Sequence, residues 1–276
     1  MLSRNARETE QKNMTYVQWL TEGAAPEQEL PHIDVWINLA GKSILYRWTN
    51  KTKQHILSSR INATREVQRL IQKQKEKPKT LIQASAVGIY GTSLEKTFTE
   101  DSATSDEDFL SHTAHLWEKE GQHIEAMGIR TVYARFGVML GEKGALPLMV
   151  LPYKFLVPAE RLEREGSGCH GFMSRMRYQM IRYAVENAGI SRPMNVTAPN
   201  PVDMKQFGKT IARVKHRPHW LPVPEFFLSK ALGEMSLLIV KGQRALPKKA
   251  ITSGFRFTYS DLEFALSQLI ADRKTV

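Results

Sequence analysis

"TLIQASAVGIYG", Thr80 to Gly91, decides how this chain folds. It follows Pro78, runs apolar for a few residues, and stops in a glycine turn, which is the signature of a buried strand. Upstream, about Asn50 to Lys75, Ile56, Ile61, Val67, Leu70 and Ile71 recur at near-helical spacing, so a helix precedes the strand. Before that helix, "DVWINLAG", Asp34 to Gly41, repeats the pattern of a short apolar run ending at glycine. Downstream, "DFLSHTAHLWEKEGQHIEAMG" opens with acids and closes on Gly128, the marks of a helix with a C-terminal glycine cap. "RTVYARFGVMLG", Arg130 to Gly141, is then a further strand running into a glycine turn.

Strands alternating with helices predict an α/β fold, a doubly wound parallel sheet of Rossmann type. Such sheets bind ligands beyond the carboxyl ends of their strands. Those ends here, "NLAG", "SAVGIYG" and "RFGVMLG", all carry glycine or small residues that let backbone approach a ligand. Each is ordinary alone, since glycine is common in any strand-to-helix turn; in register they point to a nucleotide cleft. From Asn195 the character changes. "MNVTAPNPVDMKQFGKTIA" predicts a short strand, a Pro/Asn loop and a helix capped by Asp203. "HRPHWLPVPEFF", "LSKALGEMSLLIV" and "GQRALPKKAITSGFRFTYSDLEFALSQLI" follow. The predicted division is an incomplete NAD(P)-binding Rossmann-like domain over 1–194 and a small C-terminal α/β substrate or lid domain over 195–276.

Composition narrows the class. In 276 residues, 42% hydrophobic and 24% charged content suit a folded globular protein with a real core. No apolar run reaches the roughly 20 residues of a membrane span, and the polar "MLSRNARETEQ" lacks the apolar core of a signal peptide. A single cysteine excludes an internal disulfide and any four-cysteine zinc site, and it fits a reducing cytoplasm. The net charge of +11 is scattered through "KQKEKPK", "RVKHR" and "LPKK", without zinc-finger spacing or an aromatic RNA-binding signature. That distribution favours a basic surface or anion-binding clefts over dedicated nucleic-acid binding.

The ordered motifs "INLAG", "ASAVGIYG", "GALP", "TAPNPV", "LPVP", "LGEM", "LPKK" and "GFRF" carry a resemblance. Together they resemble the bacterial "epimerase family protein" group, atypical members of the extended short-chain dehydrogenase/reductase superfamily. The resemblance covers about 2–155 and 180–270. It implies a dinucleotide cofactor, NADP(H) more than NAD(H), a small-molecule substrate, and a small C-terminal domain. It places Asn38, Leu39, Ala40 and Gly41 along the cofactor's phosphates or ribose, with Arg60, Asn62, Ser85, Arg135 and Gly137 facing the same cleft; a solvated helix face is the alternative for Arg60. Asn195, Ala198, Asn200 and Pro201 fall on the substrate side. Ser85 and Tyr90 are the candidate catalytic groups, Ser85 by bonding a substrate oxygen. Turn capping for Ser85 and packing on the cofactor for Tyr90 are the structural alternatives.

Three departures qualify this. The family opens with a strand and a Gly-rich turn that holds the pyrophosphate. No such motif occurs here, and "LSRN" matches the end of the family's second strand, so about thirty residues are expected to be missing in front. Ser3 and Arg4 would face an adenosine 2′-phosphate, a group a guanidinium fork suits; a solvated arginine is the alternative. Next, no tyrosine is followed by lysine four residues on, so the superfamily's usual proton-transfer pair is absent. Third, "ERLEREGSGCHGFMSRMRYQM", Glu160 to Met180, matches nothing in the family although both flanks do. Codons exist for Gly168 to Met176 such that the last base of each, joined to the first two of the next, spells Leu-Ser-Trp-Val-His-Val-Glu-Asp, the family's pattern. Two compensating frameshifts are therefore expected, enclosing an aberrant loop at 158–179 in which Cys169 and His170 are accidental rather than metal ligands. The expected function is an NAD(P)-dependent epimerase or oxidoreductase acting on a sugar-like or small carbonyl substrate, impaired as written. The alternative is a non-catalytic nucleotide-binding or interaction protein. Substrate and homo-oligomerisation are left open.

Overall fold

The computed structural model describes residues 1–5, 13–93, 95–137, 172–202, 204–214 and 243–271. Its centre is a parallel four-stranded sheet in the order β3 (Val35–Asn38), β4 (Thr80–Ala86), β6 (Arg130–Phe136), β7 (Arg192–Val196). Two small parallel pairs flank it: β1 (Leu2–Ser3) with β2 (Val17–Gln18), and β5 (Thr97–Phe98) with β8 (Arg244–Ala245). The helices are α1 (Pro26–Glu29), α2 (Asn50–Lys73), α3 (Phe109–Glu125), α4 (Phe172–Glu186), α5 (Met204–Val214), α6 (Lys248–Thr252) and α7 (Leu262–Ala271). The predicted α/β parallel-sheet class is what forms. The division drawn at 194/195 falls inside β7.

β4 is buried along nearly its whole length because helices cover both faces. Leu81 packs with Trp36, Val67, Leu70 and Ile71 on the α2 side. Ile82, on the opposite face, packs with Val132, Met180, Ala184 and Met194 on the α4 side. α2 begins where Thr49 Oγ1 accepts the Thr52 amide, and Asp108 with Ser111 forms a capping box for α3. Gly128, at φ +83°, takes the left-handed turn after α3 that a side chain would resist. Arg130 fastens α4 to the sheet. Its guanidinium donates to the carbonyls of Ala184, Val185, Asn187 and Ile190 and to Thr80 Oγ1.

One expectation is corrected. Residues 172–179, read as the end of an aberrant loop, lie in helix α4. Met176, Met180 and Ala184, spaced four apart, form one buried stripe, which is the period a helix needs to dock on a sheet. The rest of that segment, 158–171 with Cys169 and His170, lies outside the described residues, as do Asp203 and "LPVP".

Candidate functional site

Parallel register sets Ser85, Arg135 and Asn195 side by side in one row near the carboxyl ends of β4, β6 and β7. All three are buried. Ser85 Oγ donates to Glu118 Oε1 at 2.7 Å. The same carboxylate receives a bidentate fork from Arg135, Nε to Oε1 and Nη2 to Oε2, each at 2.8 Å. Arg135 Nη1 donates to the Tyr90 hydroxyl at 2.9 Å, and that hydroxyl donates to Asn195 Oδ1 at 2.8 Å. Asn195 Nδ2 donates to the Leu246 carbonyl, and its amide to the buried Glu100 carboxylate, which also accepts the Lys249 amide. A continuous polar chain thus runs from α3 through the sheet to the segment around β8 and α6.

The local fold explains each position. The turn after β4, Val87–Tyr90, is a single 3-10 turn closed by Gly91 at φ +75°. It swings Tyr90 back onto Phe98, with stacked rings 5.2 Å apart, and beneath the Arg135 guanidinium. Burial raises the Tyr90 phenol above its ordinary range, against the lowering effect of Arg135 and Asn195. Burial would lower Arg135, but Glu118 and Tyr90 outweigh it, so the guanidinium is held more firmly charged.

A second polar group sits on β3. Asn38 Nδ2 donates to Gln83 Oε1 and Thr64 Oγ1, and Asn38 Oδ1 accepts the Ala40 amide and ends the strand. Gly41 then lies against Arg60, where a Cβ would come within 3.2 Å of the guanidinium carbon. Arg60 spreads over Trp117 at 4.9 Å. Near the row, Gly137 faces Thr197, whose methyl would lie 2.9 Å from an added Cβ. Among the described residues Thr197 Oγ1 is buried without a hydrogen-bond partner, an orphan polar atom at the strand ends where this fold receives ligands.

The predicted residues therefore separate. Ser85, Tyr90, Arg135 and Asn195 form the connected row, and Gly137 adjoins it. Asn38, Ala40, Gly41 and Arg60 cluster at the end of β3. Leu39 is exposed, as is Asn62 on the outer side of α2. Ser3 Oγ accepts the Asn5 amide and Arg4 is exposed, its carbonyl accepting Gln18 Nε2; neither bonds to the row. Ala198 and Pro201 are half-buried after β7, and Asn200 ties to the Ser260 carbonyl. Glu118, Glu100 and Thr197 were not picked out in the sequence. Glu118 had a findable signal: an acid directly after Trp117 on an otherwise amphipathic helix. Among the described residues no three His, Cys, Asp or Glu side chains gather as a metal site, and no helix is long and apolar enough to cross a membrane.

The model of the NAD dependent epimerase/dehydratase family matches residues 2–147, and a domain of unknown function, DUF1731, matches residues 223–269. The chain belongs to the NAD dependent epimerase/dehydratase family. Epimerase family protein YfhF of Bacillus subtilis is 89% identical over 280 residues, covering 100% of this chain and 91% of that protein. An epimerase family protein of Staphylococcus haemolyticus is 38% identical, over 98% of this chain and 90% of its own length. Among solved structures, human epimerase family protein SDR39U1 with NADPH superposes at TM-score 0.79 with 24% identity, covering 98% of this chain and 90% of that one. MoeE5 in complex with UDP-glucose and NAD gives TM-score 0.70 at 15% identity, over 99% and 89% of the two chains. These structural likenesses carry the Rossmann-like epimerase fold.

Proposed function

We propose that this epimerase-family chain is an NAD(P)-dependent oxidoreductase-like enzyme for a sugar-like or small carbonyl substrate, acting in the cytoplasm and using NADP(H) in preference to NAD(H). The observation that carries this is the Ser85–Arg135–Asn195 row at the strand ends, beside the unpartnered Thr197 hydroxyl. The residues present suit a dinucleotide. The Arg60 guanidinium, packed beside Gly41, has no carboxylate partner among the described residues. When bound, the dinucleotide supplies the hydride donor or acceptor.

The chain's own residues orient the substrate oxygen. Because Ser85 spends its proton on Glu118, it offers lone pairs, and so accepts a hydrogen bond from a substrate hydroxyl. Tyr90 both accepts and donates within the network, so it acts through Arg135 and Asn195 as a positioning residue.

The proposal includes weakened cofactor affinity. Its support is in the sequence: 158–171 departs from the family pattern. Calorimetric titration with NADPH on the purified chain is expected to give binding weaker than micromolar; micromolar affinity overturns the impairment. Coding DNA tests its cause: codons for Gly168 to Met176 must be able to yield Leu-Ser-Trp-Val-His-Val-Glu-Asp one base out of step. The absent Tyr-x-x-x-Lys pair favours a second reading, a non-catalytic nucleotide-binding protein. NADPH consumption across carbonyl compounds and nucleotide sugars separates the two, since tight cofactor binding without turnover supports the second.

A further inference from the structure

Arg65, Arg69, Arg135, Arg182, Arg192 and Arg213 each hold a carboxylate. Arg60 does not. It is half-buried between Trp117 and the Gly41 backbone, and its Nη1 donates only to the carbonyls of Lys42, at 3.0 Å, and Ile56, at 2.9 Å. Its Nε and Nη2 have no acceptor among the described residues. Burial, with no acid to offset it, pulls this guanidinium down to about 10. Two carbonyls and an aromatic face hold this half-buried charge without a counter-charge among the described residues, which suits it to an anion.

Two further donors stand beside it. Lys42 is held to α2 by its amide, which donates to Ser59 Oγ at 2.9 Å, and its Nζ lies 3.3 Å from His55 Nδ1. An ammonium only donates, so Nδ1 accepts and His55 keeps Nε2–H as a donor. None of Arg60, Lys42 and His55 is paired with a carboxylate among the described residues. Arg60 and His55 are both linked to Lys42, and a planar fork, a point charge and an imidazole N–H so gathered match the several oxygens of a phosphoryl group.

We propose that Arg60, Lys42 and His55 form a phosphoryl-binding site where the 39–49 segment meets α2, with Trp117 as its floor. This rests on the reading of the chain as a nucleotide-binding enzyme, and deepens it by naming the residues that take the phosphate. The phosphoryl group comes from the dinucleotide or from a nucleoside-diphosphate substrate.

Calorimetry on the full chain with inorganic pyrophosphate, UDP and NADPH tests the site, in wild type, Arg60→Met and Lys42→Met. Arg60→Met is expected to weaken pyrophosphate binding by about tenfold or more, the loss of a charge-assisted contact. Lys42→Met should weaken it in the same direction and guards against a folding defect in Arg60→Met. If saturating NADPH excludes pyrophosphate, the dinucleotide supplies the phosphoryl group; if UDP alone does, the substrate supplies it. Equal pyrophosphate, UDP and NADPH affinities in all three proteins overturn the site. If NADPH still binds in that case, the cofactor reading stands. Pyrophosphate binding lost in the variants, with no NADPH binding in wild type even at millimolar concentration, supports the site and sinks the dinucleotide reading.

Discussion

Glu118 holds the site's geometry from one position on α3. Its two oxygens satisfy Ser85 and both ends of the Arg135 fork, and all three groups are buried. Removing its charge leaves Arg135 buried and unpaired, whereas removing the Ser85 hydroxyl leaves the ion pair intact. Glu118→Gln is therefore expected to cost roughly 3–5 kcal/mol in urea unfolding, and Ser85→Ala about 1 kcal/mol. Equal costs would mean that the carboxylate does not anchor the row. The pair was legible unequally. Ser85 stands in a recognisable strand-end motif, while Glu118 meets Ser85 only because α3 packs across β4, a contact 33 residues apart in sequence.

At the scale of elements, α3 is where sequence and structure agree most closely. Asp108 Oδ1 accepts the amides of Leu110 and Ser111, while Ser111 Oγ accepts the Asp108 amide. Asp108→Ala should lower stability by about 1 kcal/mol, read as a fall in thermal midpoint, with helix content otherwise kept. Strand β3 shows the opposite relation. Trp36 and Asn38 point into the α2 side, but Ile37 and Leu39 are about half exposed, at 49% and 54%, since α4 covers only the strands further along the sheet. The short apolar run marked 34–41 as a strand ending at glycine. It could not register that one face near the sheet edge lacks a cover. Helix α4 was misread for a related reason: its Met/Arg alternation hides the stripe of Met176, Met180 and Ala184 until the sheet supplies a surface to bury it.

Over the whole molecule, buried phenols link the fold to alkaline pH. Burial raises Tyr90, and burial with the nearby Glu125 carboxylate raises Tyr133, both above the ordinary value of 10.0. Below pH 10 both states keep these protons and the contribution to stability is full. Above it the unfolded chain releases protons that the folded chain retains, so stability falls as pH rises toward the folded values. Urea midpoints should decline from about pH 10 upward, and Tyr133→Phe should flatten the decline. A midpoint unchanged to pH 11 in the wild-type chain would show that the two phenols ionise freely in the fold.

The sequence alone determined the α/β class and the strand ends, and its family resemblance named Ser85, Tyr90, Arg135 and Asn195 as candidates. These follow from local period, glycine turns and ordered motifs, all of which lie within a few residues of chain. Tertiary structure decided which candidates meet. Parallel register aligned Ser85, Arg135 and Asn195, and helix packing brought Glu118 to them. It likewise left Arg4 and Asn62 exposed and Arg60 without a counterion among the described residues. Charge compensation and desolvation depend on neighbours distant in sequence, and only the folded chain assigns those.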